Sequence, residues 1–564
     1  MIDHAASSPT ASLRDQVRAA IARAWDRAVA SGALPAEPRD GSGPIDVARP
    51  TNSDHGDFST NLALRLAKPL AMPPTAIATA LANALNADAT AEPDGLVREA
   101  STAGPGFVNL RLADAPLERV ISQVLGEPAG WGRVTSTESR HVNIEFVSAN
   151  PTGPLTVGNA RGAFVGDLLA RVLEAGGQRV TREYYFNDSG TQVRNLGLSV
   201  IAAIEGTAVP EDGYHGDYVA ELAKVVPAEL LAGGGDGDPA EAVGRWAAQQ
   251  VRSGIEASLE RLGVHFDVWT TEGRLHGEGW VERAVQRLRD AGHVYEADGA
   301  TWFRSTTLGD DKDRVIVRSD GSPTYFAADI GYVVEKFSRG FDRLVFIWGA
   351  DHHGTVARVR NAAEAMGFTK ADVEMILTGW VRFIRDGEEI SMSKRAGTFI
   401  TLDELLSELG TDAARWFFAS RGANVNMDID IELAKRQSGE NPVYYVQYAH
   451  ARIASLLRKA SDAGLAPAAG AEGLLGGEPE GWLARVVARF PEVVEDAAAG
   501  QETQGITTYA TELATAFHAF YRDARVVDPD APERSAKRLA LVEAARVTLA
   551  NTLGLLGISA PESM

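Results

Sequence analysis

Residues 154–162 have the residue types and the setting of a site that holds phosphate. They read Pro-Leu-Thr-Val-Gly-Asn-Ala-Arg-Gly, follow a predicted strand and open a predicted helix. The first backbone N–H groups of a helix are unpaired and carry partial positive charge, which suits an anion. Gly158 has no Cβ, so a ligand could approach the backbone closely there. A glycine-bearing turn from strand to helix is also ordinary α/β packing, and this stretch by itself leaves both interpretations open.

A second stretch carries a pair of cations. Residues 387–398 read GEEISMSKRAGT and precede a helix that Thr401 opens, with Glu404 completing a capping box. Lys394 and Arg395 are therefore predicted to lie on a loop just before a rigid helix. Cations in that position can follow charge as it develops on a triphosphate. The alternative is a solvated basic turn.

The elements around these stretches alternate between strand and helix. Residues 141–146 alternate in polarity as a strand does, and residues 343–348 (RLVFIW) form the short apolar run typical of a buried parallel strand. Helical spacing follows the glycine-bearing turn and ends at Gly176-Gly177. This alternation predicts a doubly wound parallel sheet.

Changes of pattern along the 564 residues predict three domains. Residues 1–125 mix helix, loop and strand, as an α+β N-terminal domain does. Residues 126–404 are expected to hold a Rossmann-like doubly wound catalytic core, with an insertion around residues 200–300. Strand signals disappear from about residue 405, so residues 405–564 are predicted to form an all-α bundle. The predicted fold class is therefore multidomain α/β.

The composition excludes several kinds of chemistry. The chain has no cysteine, which rules out disulfides, thiol catalysis and zinc held by thiolates. No segment approaches the roughly 20 uninterrupted apolar residues of a membrane span, and the N-terminus lacks the layout of a secretory signal. A formal charge of −21 argues against bulk attraction to nucleic acid, so RNA binding would depend on local basic patches. We expect a cytoplasmic protein with no membrane partner.

Taken in order along the chain, the two stretches resemble the ATP-binding signatures of class I aminoacyl-tRNA synthetases. In that family the first signature holds ATP at a helix end, and the lysine of the second stabilises the pyrophosphate leaving group. The resemblance implies catalytic roles for Thr156, Gly158, Asn159 and Lys394. The residues that we expect to bind ATP are Thr156, Gly158, Asn159, Asp351, His353, Met392, Ser393, Lys394 and Arg395.

The first signature departs from its usual form, which has histidine where this chain has Thr156 and Asn159. Both side chains can still donate hydrogen bonds to phosphate oxygens, but neither brings positive charge. The loss of one charge-assisted donor would cost about 1.5–3 kcal/mol. Either another cation compensates, with Arg161 and Arg395 the nearest candidates, or the enzyme is slow.

Longer stretches across nearly the whole chain resemble one member of the class, arginyl-tRNA synthetase. Those that resemble its N-terminal, active-site and anticodon-binding segments include residues 51–68, 145–153, 184–192, 324–331, 348–354, 410–418 and 440–453. The resemblance implies ATP-dependent ligation of L-arginine to its cognate tRNA through arginyl-adenylate, with release of AMP and pyrophosphate. The implied partners are tRNA(Arg), L-arginine and ATP. Mg²⁺ is expected to accompany ATP rather than to occupy a protein cage.

The chemistry of arginine fits one predicted helix face. A planar guanidinium pairs well with carboxylates, and Tyr325 and Asp329 stand four residues apart, so they share a face. In the family this tyrosine and aspartate contact the guanidinium, whereas Asp329 by itself is typical of a surface helix. The residues that we expect to bind arginine are Glu145, Ser148, Asn150, Asp188, Gln192, Tyr325 and Asp329.

An aromatic and basic cluster in the predicted bundle could receive RNA bases, which stack on aromatic rings and on arginine. The alternative is that part of it, such as Tyr445 and Tyr448, packs into the core. The resemblance to an anticodon-binding domain, together with a patch in the N-terminal domain, gives the expected tRNA contacts Asn52, Phe58, Tyr444, Tyr448 and Arg452.

Other functions stay open at this level. A weakened relative that binds RNA or arginine without charging tRNA would also explain the missing histidines, and a synthetase for another amino acid is a third option. Residues 351–353 (Asp-His-His) could suggest a metal, but no third ligand follows at regular spacing, so no protein-bound metal is expected. We expect a monomer, and the family resemblance implies that tRNA binds before arginine is activated.

Overall fold

The computed structural model describes residues 12–36, 43–91, 95–136, 138–231, 238–390 and 401–564 of the chain. Its N-terminal elements are α1 (Leu13–Ala30), β1 (Phe58–Thr60), α2 (Leu62–Ala67), α3 (Pro74–Ala91), β2 (Val97–Ala103), β3 (Phe107–Leu112) and α4 (Asp114–Gly126). The Ser12 hydroxyl caps α1 by accepting the backbone N–H of Asp15 at 3.1 Å. The strands form an antiparallel sheet in the order β1-β3-β2, and the result is the predicted α+β unit.

The central part alternates between strand and helix as predicted. Its elements up to α12 are β4 (His141–Glu145), α5 (Val157–Ala175), β5 (Arg179–Phe186), α6 (Thr191–Glu205), α7 (Asp217–Val225), α8 (Ala228–Leu231), α9 (Pro239–Leu262), β6 (Val268–Thr271), α10 (Glu272–Gly277), α11 (Trp280–Asp290), β7 (Val294–Ala297), β8 (Ala300–Phe303), β9 (Arg314–Val317) and α12 (Tyr325–Ser338). It continues with β10 (Arg343–Gly349), α13 (His353–Ala365), β11 (Val373–Thr378), β12 (Val381–Arg385) and β13 (Glu388–Glu389).

A parallel sheet forms the core of this part, with its strands in the order β11-β10-β4-β5-β6. The chain steps from β4 outward through β5 to β6, and later returns to the other side of β4 with β10 and β11. The strand order therefore reverses between β4 and β10. In sheets of this type ligands bind outside the carboxyl ends of the strands at that switch point. The predicted Rossmann-like core is confirmed, and the switch point is where its site should lie.

The C-terminal part is mainly helical. Its elements are α14 (Leu402–Leu409), α15 (Thr411–Ala419), β14 (Met427–Asp430), α16 (Ile431–Lys435), α17 (Pro442–Asp462), α18 (Glu478–Ala488), α19 (Phe490–Gly500), α20 (Gln504–Asp523) and α21 (Pro532–Leu556). Helices α17, α18, α20 and α21 pack on one another as a bundle.

Strand β14 corrects the expectation that strands end at residue 405. It pairs in parallel with β12, with Met427 opposite Val381 and Ile429 opposite Phe383. Strand β14 is only four residues long, and its partner strand lies more than forty residues earlier in the chain. No local sequence pattern therefore predicts β14. The helical bundle proper begins after β14, and the division of the chain at residues 125 and 404 stays a prediction.

Helix α21 is long and apolar enough to cross a membrane by length and hydropathy. About two thirds of its most apolar window (67%) lies buried inside the protein. Leu541, Leu549 and Leu553 on this helix are completely buried. The apolar composition of α21 is therefore explained by its place at the centre of the bundle.

A buried ion pair fixes α5 to the segment that leads into the bundle. Arg415 of α15 pairs with Asp167 of α5, and each side chain is only 2% exposed. Arg415 also donates to the carbonyl oxygens of Leu262 and Leu556 at 2.9 and 2.6 Å. Asp167 in turn accepts from Arg171 at 2.7 Å. This cluster holds the helix that carries the first signature against the C-terminal helices.

Candidate active site

The backbone at the end of β4 is strained. Val147 and Ser148 have φ angles of 67° and 41°, a left-handed backbone conformation that residues other than glycine rarely adopt. The hydroxyl of Ser148 donates to Oε1 of Glu145 at 3.0 Å and accepts the backbone N–H of Tyr185 at 3.1 Å. Strain of this kind persists where surrounding contacts hold it, and it concentrates at functional sites. The strained turn lies at the switch point of the sheet.

Helix α5 begins at Val157, after the loop that follows this turn. Its N-cap is Thr156, whose backbone N–H and hydroxyl both donate to Oδ1 of Asn159 at 3.0 Å. Because the amide oxygen faces Thr156, the amide nitrogen of Asn159 is left as a donor. A Cβ at Gly158 would meet the Thr156 hydroxyl at 3.4 Å, an ordinary contact, so packing against the described residues does not by itself demand glycine. The predicted contacts of these residues with phosphate stay a prediction.

The first signature stretch contacts the residues that follow the second. Thr156 and Thr401 form an isolated antiparallel bridge, and the backbone N–H of Leu402 donates to the carbonyl oxygen of Leu155 at 2.9 Å. Thr401 and Glu404 form the predicted capping box at the start of α14. Residues 391–400 lie outside the described residues, and they include the predicted Met392, Ser393, Lys394 and Arg395. The residues just beyond them adjoin the helix end that would hold the triphosphate.

Arg161 does not compensate for the missing histidine charge. Its side chain is buried (1% exposed) and donates to backbone carbonyl oxygens. The acceptors are those of Gly379, Trp380, Gly422 and Val425, at 3.3, 3.3, 2.8 and 2.5 Å. Burial lowers the pKa of this guanidinium. The expectation that Arg161 could serve the phosphate is corrected, because its donors are committed to tying α5 to the segments beside β12 and β14.

Acidic side chains converge beside the strained turn. Asp329 lies on the first turns of α12 and is half-buried, and Tyr325, one turn earlier, is 76% exposed. Burial, followed by repulsion from the charges of Glu145 and Glu272, raises the pKa of Asp329 to about 7. The predicted Glu145 and Asp329 therefore lie within range of each other's charge, although 184 residues separate them in the chain, and we call the region of Glu145, Glu272 and Asp329 the acidic pocket.

Glu272 is a pocket residue that the sequence interpretation missed. It begins α10, directly after β6, and its charge acts on both Asp329 and Tyr185. The predicted Asp188 holds this helix start in place, because its Oδ1 accepts the backbone N–H of Gly273 at 3.0 Å. A carboxylate at the carboxyl end of a strand was the available signal, but β6 is too short and too weakly patterned to be recognised.

Lys336 is the second residue that was missed. It lies on α12, seven residues after Asp329, and is completely buried. Its Nζ contacts Oε2 of Glu145 at 2.9 Å and Oδ1 of Asn143 at 2.6 Å. The spacing of Tyr325, Asp329 and Lys336 along one helix face was a usable signal.

The other predicted residues surround this pocket or lie at the neighbouring strand end. Asn150 donates to Oε1 of Gln192 at 2.7 Å, which brings the two predicted amides together. Asp351 and His353 are exposed at the carboxyl end of β10, where α13 begins. Across the described ranges, no group of three or more His, Asp or Glu side chains has the arrangement of a metal site.

The predicted RNA contacts are distributed unevenly between surface and core. Asn52 is exposed, but Phe58 is completely buried, with the Arg49 guanidinium 4.4 Å from the centre of its ring. Phe58 therefore cannot reach RNA in this structure, and that expectation is corrected, because the ring belongs to the core of the N-terminal unit.

The aromatic cluster of α17 is at the surface. The rings of Tyr444 and Tyr448 are parallel within 6° with centres 6.4 Å apart, and Tyr448 is 42% exposed. Arg452 lies one turn further along, 5.9 Å from the ring of Tyr448 and 4.4 Å from that of Tyr521. Tyr448 is thus available to a partner, whereas the alternative of core packing applies more to the half-buried Tyr445.

A concave site of about 550 Å³ lies away from the acidic pocket, between α14, α15, α16 and α17. Asp412, Lys435, Tyr444 and Gln447 are among the residues that line it. None of the residues of the acidic pocket contributes to it. The convergence of carboxylates at the switch point, and not the size of a cavity, marks the chemical site.

Two solved structures of aminoacyl-tRNA synthetases have this fold. The Thermus thermophilus arginyl-tRNA synthetase aligns with a TM-score of 0.76 at 24% identity, over 98% of this chain and 100% of that chain. The Plasmodium falciparum arginyl-tRNA synthetase aligns with a TM-score of 0.73 at 15% identity, over 99% and 100%. At these identities the two structures establish the fold.

Family models cover almost the whole chain. Residues 120–209 and 236–455 match the model "tRNA synthetases class I (R), catalytic domain", so the sheet and its switch-point site are those of a class I aminoacyl-tRNA synthetase. Residues 11–112 match "Arginyl tRNA synthetase N terminal domain" and residues 446–564 match "DALR anticodon binding domain". An arginine–tRNA ligase of Moorella thermoacetica is 45% identical over 530 residues, 92% of this chain and 93% of that protein. The chain belongs to the arginyl-tRNA synthetase family.

Proposed function

We propose that this chain joins L-arginine to its cognate tRNA in two steps that consume ATP, with the acidic pocket as the arginine site. The observation that carries the proposal is the meeting of Glu145, Asp329 and Glu272 at the switch point of a class I sheet. Arginine brings two positive groups, its guanidinium and its α-ammonium, to a pocket whose carboxylates repel one another while it is empty.

Each carboxylate has a role that follows from its place. Asp329 on α12 and Glu272 on α10 act on each other's charge and would receive the guanidinium, whose planar fork of donors suits carboxylates. Tyr325 is exposed at the rim and would pack over that group. Glu145 and Ser148 lie at the strained turn next to the helix end, which places them towards the α-ammonium. The amides of Asn150 and Gln192 and the carboxylate of Asp188 complete the surroundings.

The chemistry requires positioning rather than a covalent enzyme intermediate. A carboxylate oxygen of arginine attacks the α-phosphorus of ATP, and the bond to the β,γ-pyrophosphate breaks, which forms arginyl-adenylate. A ribose hydroxyl at the end of the tRNA then attacks the arginyl carbonyl carbon, its proton is lost, and AMP leaves. Orienting the reactants and stabilising developing charge account for catalysis of this kind.

The helix end at Thr156, Gly158 and Asn159 would bind ATP through neutral donors and the unpaired backbone N–H groups of α5. Lys394 and Arg395, with Met392 and Ser393, would supply positive charge to the pyrophosphate, and Asp351 and His353 would contact the nucleoside. Mg²⁺ would arrive with ATP and neutralise phosphate charge. The protein would act in the cytoplasm as a monomer without a membrane partner.

Arginine-dependent exchange between ATP and pyrophosphate, measured with and without tRNA(Arg), tests the function. We expect exchange that requires arginine, and the comparison between the two conditions shows whether tRNA must bind first. A weakened relative that binds RNA or arginine without activating it would give no exchange under either condition, and that result would overturn the proposal.

The affinity for arginine should depend on pH through Asp329. Its pKa of about 7 means that the empty pocket holds a proton at lower pH, whereas pairing with a guanidinium needs the ionised form. The Kd for arginine, measured by equilibrium dialysis without ATP, should be about tenfold higher at pH 6 than at pH 8. By the same shift, the contribution of this carboxyl to the stability of the empty protein declines as the pH rises through about 7. A Kd that is constant across this range would contradict the assignment.

Tyr448 should contribute to tRNA binding and not to activation. Stacking of a base on an aromatic ring is worth about 1–3 kcal/mol, so Tyr448→Ala should raise the KM for tRNA about 5–100-fold in aminoacylation. Exchange at saturating tRNA should keep its rate. Trp482→Ala is the matched control, because Trp482 is another exposed aromatic residue of the bundle (39%) outside the cluster of α17. Equal effects of the two substitutions would argue against a specific contact.

A further inference from the structure

Lys336 is a buried cation beneath the arginine pocket. Its side chain has no exposure to solvent, and its Nζ lies 2.9 Å from Glu145 and 2.6 Å from the amide oxygen of Asn143. The rings of Tyr332 and Phe346 cover the ammonium, with their centres 4.3 and 4.5 Å away. An ammonium in such a place is costly unless it is paired. Its position and its charge therefore need an explanation.

The neighbouring buried carboxylate, Glu183, has its direct contacts with other residues. Glu183 accepts two hydrogen bonds from Arg339 at 2.7 and 2.9 Å, and further bonds from Tyr332 and Thr270 at 2.5 and 2.7 Å. Against the cost of burial, the charges of Lys336 and Arg339 and these hydrogen bonds hold the pKa of Glu183 at about 2. Glu183 thus has a directly bonded cation in Arg339, whereas Lys336 acts on it through space.

Glu145, unlike Glu183, forms its ion pair with Lys336. In the part of the chain that the structure describes, Lys336 is the cation that forms an ion pair with Glu145. The other oxygen of Glu145 accepts the Ser148 hydroxyl, so the carboxylate is held at both oxygens. Burial raises the pKa of Glu145, and the charge of Lys336 opposes that effect.

We propose that Lys336 is a positioning residue for arginine recognition: its buried ammonium pairs with Glu145 and holds that carboxylate in the orientation that receives the α-ammonium of the substrate. The inference rests on the proposed role of Glu145 as part of the arginine pocket. Lys336 does not touch the substrate itself, because Glu145 and the aromatic rings lie around it.

The helix that carries Lys336 connects the two ends of the pocket. Tyr325, Asp329, Tyr332 and Lys336 follow one another at spacings of four, three and four residues on α12. The ion pair between Lys336 and Glu145 joins this helix to the end of β4. It therefore fixes the guanidinium side of the pocket relative to the side that faces the α-ammonium.

The charges around Glu145 determine what removal of Lys336 would do. Glu183 acts on it from β5, and Glu145 in turn acts on Asp329 and Tyr332 of α12 and on Tyr185 of β5. Carboxylates this close titrate as a group. Loss of one positive charge beside the group makes the last proton leave at a higher pH. An opposite charge at this distance commonly moves a pKa by about 1–3 units.

Three substitutions in the full-length protein separate charge from shape. Lys336→Gln keeps a hydrogen-bond donor without charge, Lys336→Met keeps the length of the side chain without donor or charge, and Lys336→Arg keeps the charge. We measure the Kd for arginine between pH 6 and pH 9. The neutral variants should move the midpoint of the pH dependence up by about 1 unit or more and weaken binding about tenfold at pH 7. Lys336→Arg should retain the midpoint of the unsubstituted protein.

A purely structural role predicts something else. It would weaken binding equally at every pH, with an unchanged midpoint in the neutral variants, and that result would overturn the proposal. Should Lys336→Met fail to fold, Lys336→Gln carries the test, and so does Glu145→Gln combined with Lys336→Gln, which removes both charges and should abolish the upward shift. If the unsubstituted protein shows no arginine-dependent exchange, the proposed function fails. If exchange is present and the midpoint does not move, only the role of Lys336 fails.

Discussion

Asp329→Ala should lower kcat/KM for arginine in ATP–pyrophosphate exchange by about 10²–10⁴-fold. A hydrogen bond to a charged group contributes about 1.5–3 kcal/mol, and a carboxylate can make two of them with one guanidinium. The loss of both therefore corresponds to about 3–6 kcal/mol, with a factor of ten for each 1.36 kcal/mol. The charges of Glu145 and Glu272 act on Asp329, so we expect the loss to be specific to the substrate cation.

Two further variants make this result interpretable. Asp329→Asn retains the shape of the side chain and should lose nearly as much activity, because the charge is what the guanidinium needs. Asp290→Asn is the matched control, since Asp290 is exposed at the end of α11 and contacts only Gln286 among the hydrogen bonds resolved in the described residues. The KM for ATP should stay within a few fold in all three. Undiminished activity of Asp329→Ala would remove this residue from the arginine site.

Asp167→Asn should destabilise the protein by about 3–5 kcal/mol, the cost of leaving a buried charge without its partner. Asp167 and Arg415 are each 2% exposed, and Arg171 also pairs with the same carboxylate. An amide of the same shape leaves both guanidiniums without an anion. Burial already lowers the pKa of Arg415, which the charge of Asp167 counteracts. We expect the midpoint of thermal unfolding to fall by about 3–4 °C at a fixed scan rate, because the entropy of unfolding scales with the length of the chain.

The matched control for this prediction is an exposed ion pair. Asp428 contacts Arg382 at 2.8 and 2.9 Å, but the two side chains are 50% and 57% exposed. Asp428→Asn should therefore cost about 1 kcal/mol or less. Asp167→Asn combined with Arg415→Met should be less harmful than Asp167→Asn by itself, because no unpaired charge then remains at Arg415. If Asp167→Asn unfolds at the same temperature as the control, the buried cluster does not stabilise the fold as argued.

Local patterns were sufficient for the elements that position the site. The strand at residues 141–146 and the apolar run at residues 343–348 became β4 and β10, and the capping box at Thr401 opens α14 as predicted. The spacing of Tyr325 and Asp329 placed them on one face of α12. These features depend on neighbours within a few residues, so the sequence contains the whole of the signal.

Other residues had roles that local pattern could not assign. Arg161 stands in the first signature and was expected to serve phosphate, but its acceptors come from residues 379–425, more than 200 residues away. Phe58 resembled a surface aromatic, and packing beneath Arg49 made it part of the core. The polarity of a side chain determines what kind of partner it needs, but only the fold determines which residue becomes that partner.

The sequence by itself determined the family, the α/β architecture and the two stretches that would hold ATP, because these depend on residue type and short spacing. Tertiary structure decided the composition of the arginine pocket. Glu272 reaches Asp329 from another strand end, and Lys336 reaches Glu145 across 191 residues. Charges act over a few ångströms of space regardless of chain separation. The protonation of Asp329 and the burial of Lys336 are therefore properties of the folded switch point and not of any segment of the chain.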